Sequence, residues 1–266
     1  MSILLSVIAT IAACSDMSGT LIAAHRGGMD SAHAENTLPA FEHAARHGAH
    51  AIEMDLRATA DGSIVVLHDR SVNRTTNGVG HVHELSLAFV KGLDAGGDAR
   101  IPTLREVIDW ATPLDVALLL DMKPAPRLDH GEVVAAIQKA KLEQRAFFGV
   151  RSVSDVEHMS SNADGLRFVG FVPDVDAVDD FIAAGIGIIR LWPKWLNERP
   201  DLLKRLQRAG IQVWVTTGDA GIERLKTYAA MGIAGLITDR PADAAQALGC
   251  VGPAVTGESR QGTSNR

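Results

Sequence analysis

Two acids, Glu53 and Asp55, stand two residues apart in the apolar run Ala51-Ile52-Glu53-Met54. On an extended strand that spacing turns both side chains to one face, where paired negative charges are costly unless a cation relieves them. Asp121, at the end of the apolar run from Val116 to Leu120, is the candidate third oxygen ligand. An all-oxygen set with no Cys or His beside it favours one divalent cation, Mg²⁺ or Ca²⁺, over Zn²⁺. A lone Glu-x-Asp is more often a salt-bridged surface pair, so its weight comes from its company. His25 and His68 each close an apolar run, and two imidazoles can divide acid and base work near neutral pH. Arg26 and Lys123 beside them suit a phosphate, although either could instead pair with the acids. Metal, two histidines and two cations together describe chemistry on a phosphate ester.

Such residues must be carried on elements that converge. Between Leu21 and Leu248 nine short apolar runs alternate with stretches of helical spacing, which predicts a parallel sheet with helical crossovers, an α/β fold. In a closed α/β barrel the chemistry sits at the carboxyl ends of the strands, and His25, Glu53, Asp55, His68, Asp69, Asp121 and Lys123 all fall at such ends. Nine runs are one too many for a barrel of eight, and the short run around Ile188 is the candidate to lie outside. Ala60-Asp61-Gly62 reads as a turn joining two strands directly. Asn36-Thr37, Thr103 and Pro241 read as helix starts. The Gly-rich, polar stretch from Arg70 to Arg100 is too irregular for a crossover and reads as an inserted loop or small subdomain.

The chain has 266 residues, 46% of them apolar and 22% charged, which excludes disordered and polytopic membrane classes. A net charge of −6 lacks the electrostatic footprint of a general nucleic-acid binder, although a local pocket can still be basic; the partner expected from the residues above is a small-molecule phosphate ester. Two cysteines, Cys14 and Cys250, are too few for a disulfide framework. Residues 1–19 read as a signal or lipoprotein leader and tether: Ile3 to Cys14 is too short to span a bilayer, and Ile11-Ala12-Ala13-Cys14 resembles a lipobox. The expectation is a cell-envelope location with membrane attachment through a lipidated Cys14, a cytoplasmic location being the alternative. Residues 20–248 read as one domain and 249–266 as a disordered tail.

Ala24-His25-Arg26-Gly27, Glu35-Asn36-Thr37, Ile52-Glu53-Met54-Asp55-Leu56, Val65-Val66-Leu67-His68-Asp69, Arg74-Thr75-Thr76 and Ile101-Pro102-Thr103-Leu104 lie in order over roughly a third of the chain. This pattern resembles the glycerophosphodiester phosphodiesterase family. Weaker matches at Leu120-Asp121-Met122-Lys123, Val213-Trp214-Val215 and Gly235 to Pro241 extend it over nearly the whole barrel. The resemblance implies a TIM (β/α)8 barrel of the PLC-like phosphodiesterase type with a small insertion after the third strand. It also implies a divalent metal on Glu53, Asp55 and Asp121, catalytic His25 and His68, and Arg26, Lys123 and Trp214 toward phosphate and substrate. The implied reaction is metal-dependent hydrolysis of glycerophosphodiesters to glycerol 3-phosphate and an alcohol, by water or through a cyclic phosphate. A phospholipase D-like action on lysophospholipid or sphingolipid is one alternative, and a non-catalytic phosphodiester-binding lipoprotein another. The chain departs from the family pattern at Ala34 for Pro, at Asp121 for Glu, and at Trp214-Val215-Thr216-Thr217 on the late strand. Arg190 and Trp192 are further candidates for the pocket, while His43 with His47, His81 with His83, and Gly218 to Gly221 each read as well without a function.

Overall fold

The computed structural model describes residues 19–29, 33–160 and 165–250. The leader, Cys14 and the tail beyond Cys250 lie outside the described residues.

The first half runs β1 (Leu21–Ala24), α1 (Leu38–Arg46), β2 (Ala51–Ala58), β3 (Ile64–Val66), α2 (Leu87–Gly92), α3 (Leu104–Ala111), β4 (Ala117–Met122) and α4 (His130–Lys139). It continues through β5 (Ala146–Val150), α5 (Val153–Ser160), β6 (Phe168–Gly170), α6 (Val178–Ala183), β7 (Ile188–Leu191), α7 (Pro193–Glu198) and α8 (Pro200–Arg208). The chain closes with β8 (Gln212–Gly218), α9 (Ile222–Ala230), β9 (Gly235–Thr238) and α10 (Pro241–Ala247). Pairing of β1 with both β9 and β2 closes a parallel ring of β1, β2, β4, β5, β6, β7, β8 and β9. This is the expected TIM barrel.

The supernumerary strand is β3, not the run around Ile188. Residues Ile188 to Leu191 pair in parallel with β6 and β8, whereas β3 pairs with no other strand than β2, antiparallel, with Leu56 opposite Val66, and makes one further antiparallel bridge from Val65 to Thr103. Ala60-Asp61-Gly62 makes the turn, with Gly62 at φ +80. A hairpin strand cannot join a parallel ring, because a short turn reverses the chain where a crossover would restore its direction.

Strand alternation separates two apolar layers. Ile52, Met54, Leu56, Leu118, Leu120, Phe148 and Ile189 face the helices. Ala23, Ala51, Ala117, Leu119, Phe147, Val169, Trp214 and Ile237 fill the ring's interior. After β3 the insertion gathers its own cluster of Val65, Leu67, Val72, Val82, Val90, Leu93 and Ile101. Thr103 caps α3 in a capping box with Glu106, as its position predicts. Asn36-Thr37 does not cap α1: the Thr37 hydroxyl donates to the Ala34 carbonyl, and Asn36 is drawn into the site described next.

Candidate active site

Below the barrel mouth the interior is apolar; at the mouth it turns abruptly charged. Glu53 and Asp55 follow Ala51 on the inward face of β2, and Asp121 follows Ala117 and Leu119 on that of β4. The β2–β4 register sets Asp55 directly across from Asp121. One carboxylate oxygen from each of Glu53, Asp55 and Asp121 lies within 4.8 Å of the others, and all three residues are buried. These are the expected acids, brought together.

Each acid has a distinct set of partners. Glu53 accepts from the Arg26 backbone N–H at 2.8 Å. Asp55 accepts from Asn36 Nδ2 at 2.8 Å, its own N–H donates to Asn36 Oδ1 at 3.3 Å, and Arg26 Nε stands 3.5 Å from Oδ2. Lys123 Nζ lies 2.8 Å from Asp55 Oδ1 and 2.5 Å from Asp121 Oδ2. Only the second contact has hydrogen-bond geometry, so Asp55 Oδ1 is a buried acceptor without a hydrogen bond. Arg151 grips Asp121 through Nη2 at 2.6 Å and Nε at 3.2 Å. Burial pushes the Glu53 carboxyl well above its ordinary value, and the Asp55 charge adds to this. Burial also opposes ionisation of Asp55, but Lys123 and Asn36 outweigh it and hold that pKa down. A site of three hard oxygens, one facing an ammonium without a hydrogen bond and one on a carboxyl forced toward protonation, has the donor chemistry of a divalent-cation site.

The histidines flank this triad, each held by a carboxylate. His25 Nδ1 lies 2.6 Å from Asp239 Oδ1 at the end of β9, and His68 Nδ1 lies 2.7 Å from Asp69 Oδ1. His68 reaches the mouth by an indirect route. Strand β2 overshoots the rim and β3 descends beside it, so that Leu67 N–H donates to the Asp55 carbonyl and the Arg57 guanidinium holds the His68 carbonyl. Burial lowers the pKa of both rings. At His25 the Asp239 hydrogen bond and the Glu53 charge reverse the sign and raise it; at His68 burial prevails over Asp69, with Lys123 and Arg26 adding to the depression. Arg74, from the insertion, clasps both Asp69 and Glu35, and Glu35 in turn accepts from Arg26 Nη1 at 3.1 Å.

His25, Arg26, Glu53, His68, Asp121 and Lys123 line one cavity of about 670 Å³. Trp214, the expected substrate contact, does not: it is 1% exposed on the barrel floor against Phe147, two residues below the wall residue Thr216. Its indole occupies the space that a Cβ at Gly235 would need, so the glycine paired with it on β9 admits the ring downward. Arg190 and Trp192 do line the cavity, with the cation buried and the aromatic at the rim. His43 and His47 are stacked at 4.0 Å, and among the described residues the acidic triad is the only group of three potential ligands so disposed. Asn36, Arg151 and Asp239 were absent from the expected site. Arg151 and Asp239 follow β5 and β9, so the strand-end rule that selects Asp121 also selects them.

The model of the glycerophosphoryl diester phosphodiesterase family matches residues 25–174, more than half of the chain. The chain belongs to this family. It is 33% identical over 237 residues to the glycerophosphodiester phosphodiesterase of Caldanaerobacter subterraneus, covering 84% of this chain and 95% of that one. The crystal structure of glycerophosphodiester phosphodiesterase from Agrobacterium tumefaciens superimposes with a TM-score of 0.75 at 26% identity, over 85% of this chain and 99% of that one. In fold it is also similar to an Oleispira antarctica phosphodiesterase solved with the product sn-glycerol 3-phosphate, with a TM-score of 0.73 at 23% identity over 86% and 96% of the two chains.

Proposed function

We propose that this chain hydrolyses glycerophosphodiesters to glycerol 3-phosphate and an alcohol, with His25 as general acid and His68 as general base. The observation that carries the reading is the placement of two carboxylate-anchored imidazoles beside one buried acidic triad in a single cavity. Its names in related chains agree: a relative 33% identical is called a glycerophosphodiester phosphodiesterase.

Glu53, Asp55 and Asp121 would hold one Mg²⁺ or Ca²⁺, which when bound supplies positive charge to the phosphoryl oxygens. Arg26 and Lys123 add fixed positive charge on the same side of the cavity. His25 carries its raised pKa and an Nδ1 bound to Asp239, which leaves Nε2 to give a proton to the departing alkoxide. His68, with its pKa depressed, is neutral near neutral pH and takes the proton from the attacking hydroxyl. Asp69 orients that ring through Nδ1.

The test is release of glycerol 3-phosphate from glycerophosphocholine and glycerophosphoethanolamine, with each metal and with chelator. Metal-dependent release supports the reading; no release with either cation overturns it. Trapping a cyclic glycerophosphate would identify a glycerol hydroxyl, rather than water, as the nucleophile.

A further inference from the structure

Across the ring from β2, with three strands between them on either side, stands β7. Its Arg190 lines the cavity yet is only 4% exposed. The guanidinium carbon lies 4.1 Å from the centroid of the Trp192 ring and 4.9 Å from that of Phe171. Nε and Nη1 are buried without a hydrogen bond. That is a costly arrangement for a cation, since each buried donor left unmet forfeits its hydration.

Arg70, also at the mouth, is exposed and keeps its hydration; the four remaining cations differ from Arg190 in their partners. Arg26 contacts Glu35, Lys123 contacts Asp55 and Asp121, Arg151 grips Asp121, and Arg57 donates to the His68 carbonyl. Arg190 alone among these five is held by ring faces and not by oxygens. Stacking fixes the plane of a guanidinium while leaving its in-plane N–H groups for another acceptor. A fork of that kind matches an anion with two oxygens, a carboxylate or a phosphate. Arg26 and Lys123, which follow β1 and β4, already stand beside the acidic triad where the scissile phosphoryl group would bind.

We infer that Arg190 is a specificity-determining residue that receives a second anionic group, a carboxylate or phosphate, on the alcohol portion of the diester. The inference rests on the proposed hydrolysis. It names glycerophosphodiesters of acidic alcohols as the favoured substrates, with Trp192 covering the outer face of the recognising cation.

Glycerophosphoserine and glycerophosphoethanolamine differ by one carboxylate and provide the probe. The wild-type enzyme is expected to show a higher kcat/KM for the serine diester. Arg190→Gln should lower the serine-to-ethanolamine ratio roughly 10- to 100-fold, the worth of a charge-assisted bidentate contact, mainly through KM. Arg190→Lys, which keeps the charge and loses the fork, should fall between. Trp192→Ala, a rim substitution that spares the core, should lower the ratio in the same direction should Arg190→Gln fold poorly. A ratio unchanged in these variants, or both diesters declining in parallel, overturns the inference. Calorimetric binding of both intact diesters to His68→Ala enzyme, with metal present, reads the same ratio without turnover. Wild-type enzyme that cleaves neither diester would refute the proposed hydrolysis, while this binding ratio would still decide the role of Arg190.

Discussion

Asp239 and His25 are 214 residues apart in the chain and 2.6 Å apart at the barrel mouth. Closure of the ring is what joins them, because β9 pairs with β1 in parallel register up to Ala24 and Thr238, the residues that precede them. The contact matters chemically because His25 is buried, and burial alone would depress its pKa. Asp239→Asn keeps the shape and removes the charge. The His25 pKa should then fall below its ordinary value, moving the alkaline limb of the pH–rate profile to lower pH. Exchanging the charged acceptor for a neutral one should also cost roughly 10- to 100-fold in kcat. A pH–rate profile of Asp239→Asn indistinguishable from wild type would show that Asp239 does not tune His25.

The opposite shifts of the two histidines fix the form of the wild-type profile. With the proposed roles, activity requires His25 protonated and His68 neutral. That combination is most populated between the depressed pKa of His68, below 6.5, and the raised pKa of His25, above 6.5. As pH falls through the first value the base is lost, and as it rises through the second the acid is lost. The expected kcat profile is a bell with one limb on each side of 6.5. His25→Ala and His68→Ala should each reduce kcat by about 10² to 10⁴, and His25→Ala should abolish the alkaline limb while sparing the acid one. Substrates with a leaving alcohol of low pKa should partly restore His25→Ala, since such an alcohol departs without a proton. Absence of that rescue would assign the acid elsewhere.

Much of this site was legible because strand alternation and the strand-end rule are local. Glu53 with Asp55, Asp121 and His25 needed nothing beyond an apolar run and its end, whereas His68 follows a strand outside the ring and reaches the mouth only through the hairpin against β2. What escaped the sequence depended on pairing. Ile64–Val66 and Ile188–Leu191 are similar short apolar runs, and only the hairpin register of the first against β2 separates an outer strand from a barrel strand. Asn36 reads as a helix start; its diversion to Asp55 requires the first βα loop to lie over β2, which no local signal reports. Arg190 and Trp192 are both pocket candidates in the sequence, but no local signal says that the cation is the buried one and the aromatic the rim one; that follows from the guanidinium lying against two ring faces.

Cation binding at the triad should depend on pH. Burial and the neighbouring Asp55 raise the Glu53 pKa, so a proton competes with the metal for that oxygen. Affinity for Mg²⁺ or Ca²⁺ should rise with pH and proton release should accompany binding, both measurable by calorimetry in buffers of different ionisation enthalpy. Asp55→Asn, which removes the charge held by Asn36 and Lys123, should weaken the metal beyond detection. Asp121→Asn should raise the metal concentration needed for half-maximal rate more than it changes KM, and it should also loosen Lys123 and Arg151 from their shared anchor. Metal affinity that stays flat with pH in wild type would exclude Glu53 as a ligand.

Trp214 offers a separation of stability from catalysis. Its indole is buried on the barrel floor beneath Thr216, facing Gly235 in register and Phe147 at a centroid distance of 5.0 Å. Trp214→Ala removes a large side chain from the inner layer and should cost roughly 3–5 kcal/mol of folding stability, read as a lower denaturation midpoint. Gly235→Ala attacks the same contact from the other side by forcing a methyl into the indole, at about 1–3 kcal/mol. Because the two residues share one contact, the double variant should cost less than the sum of the singles. Where both proteins remain folded, KM for a glycerophosphodiester should change little, since Trp214 has no surface in the cavity. A large increase in KM for Trp214→Ala, with the denaturation midpoint unmoved, would return this residue to the substrate wall.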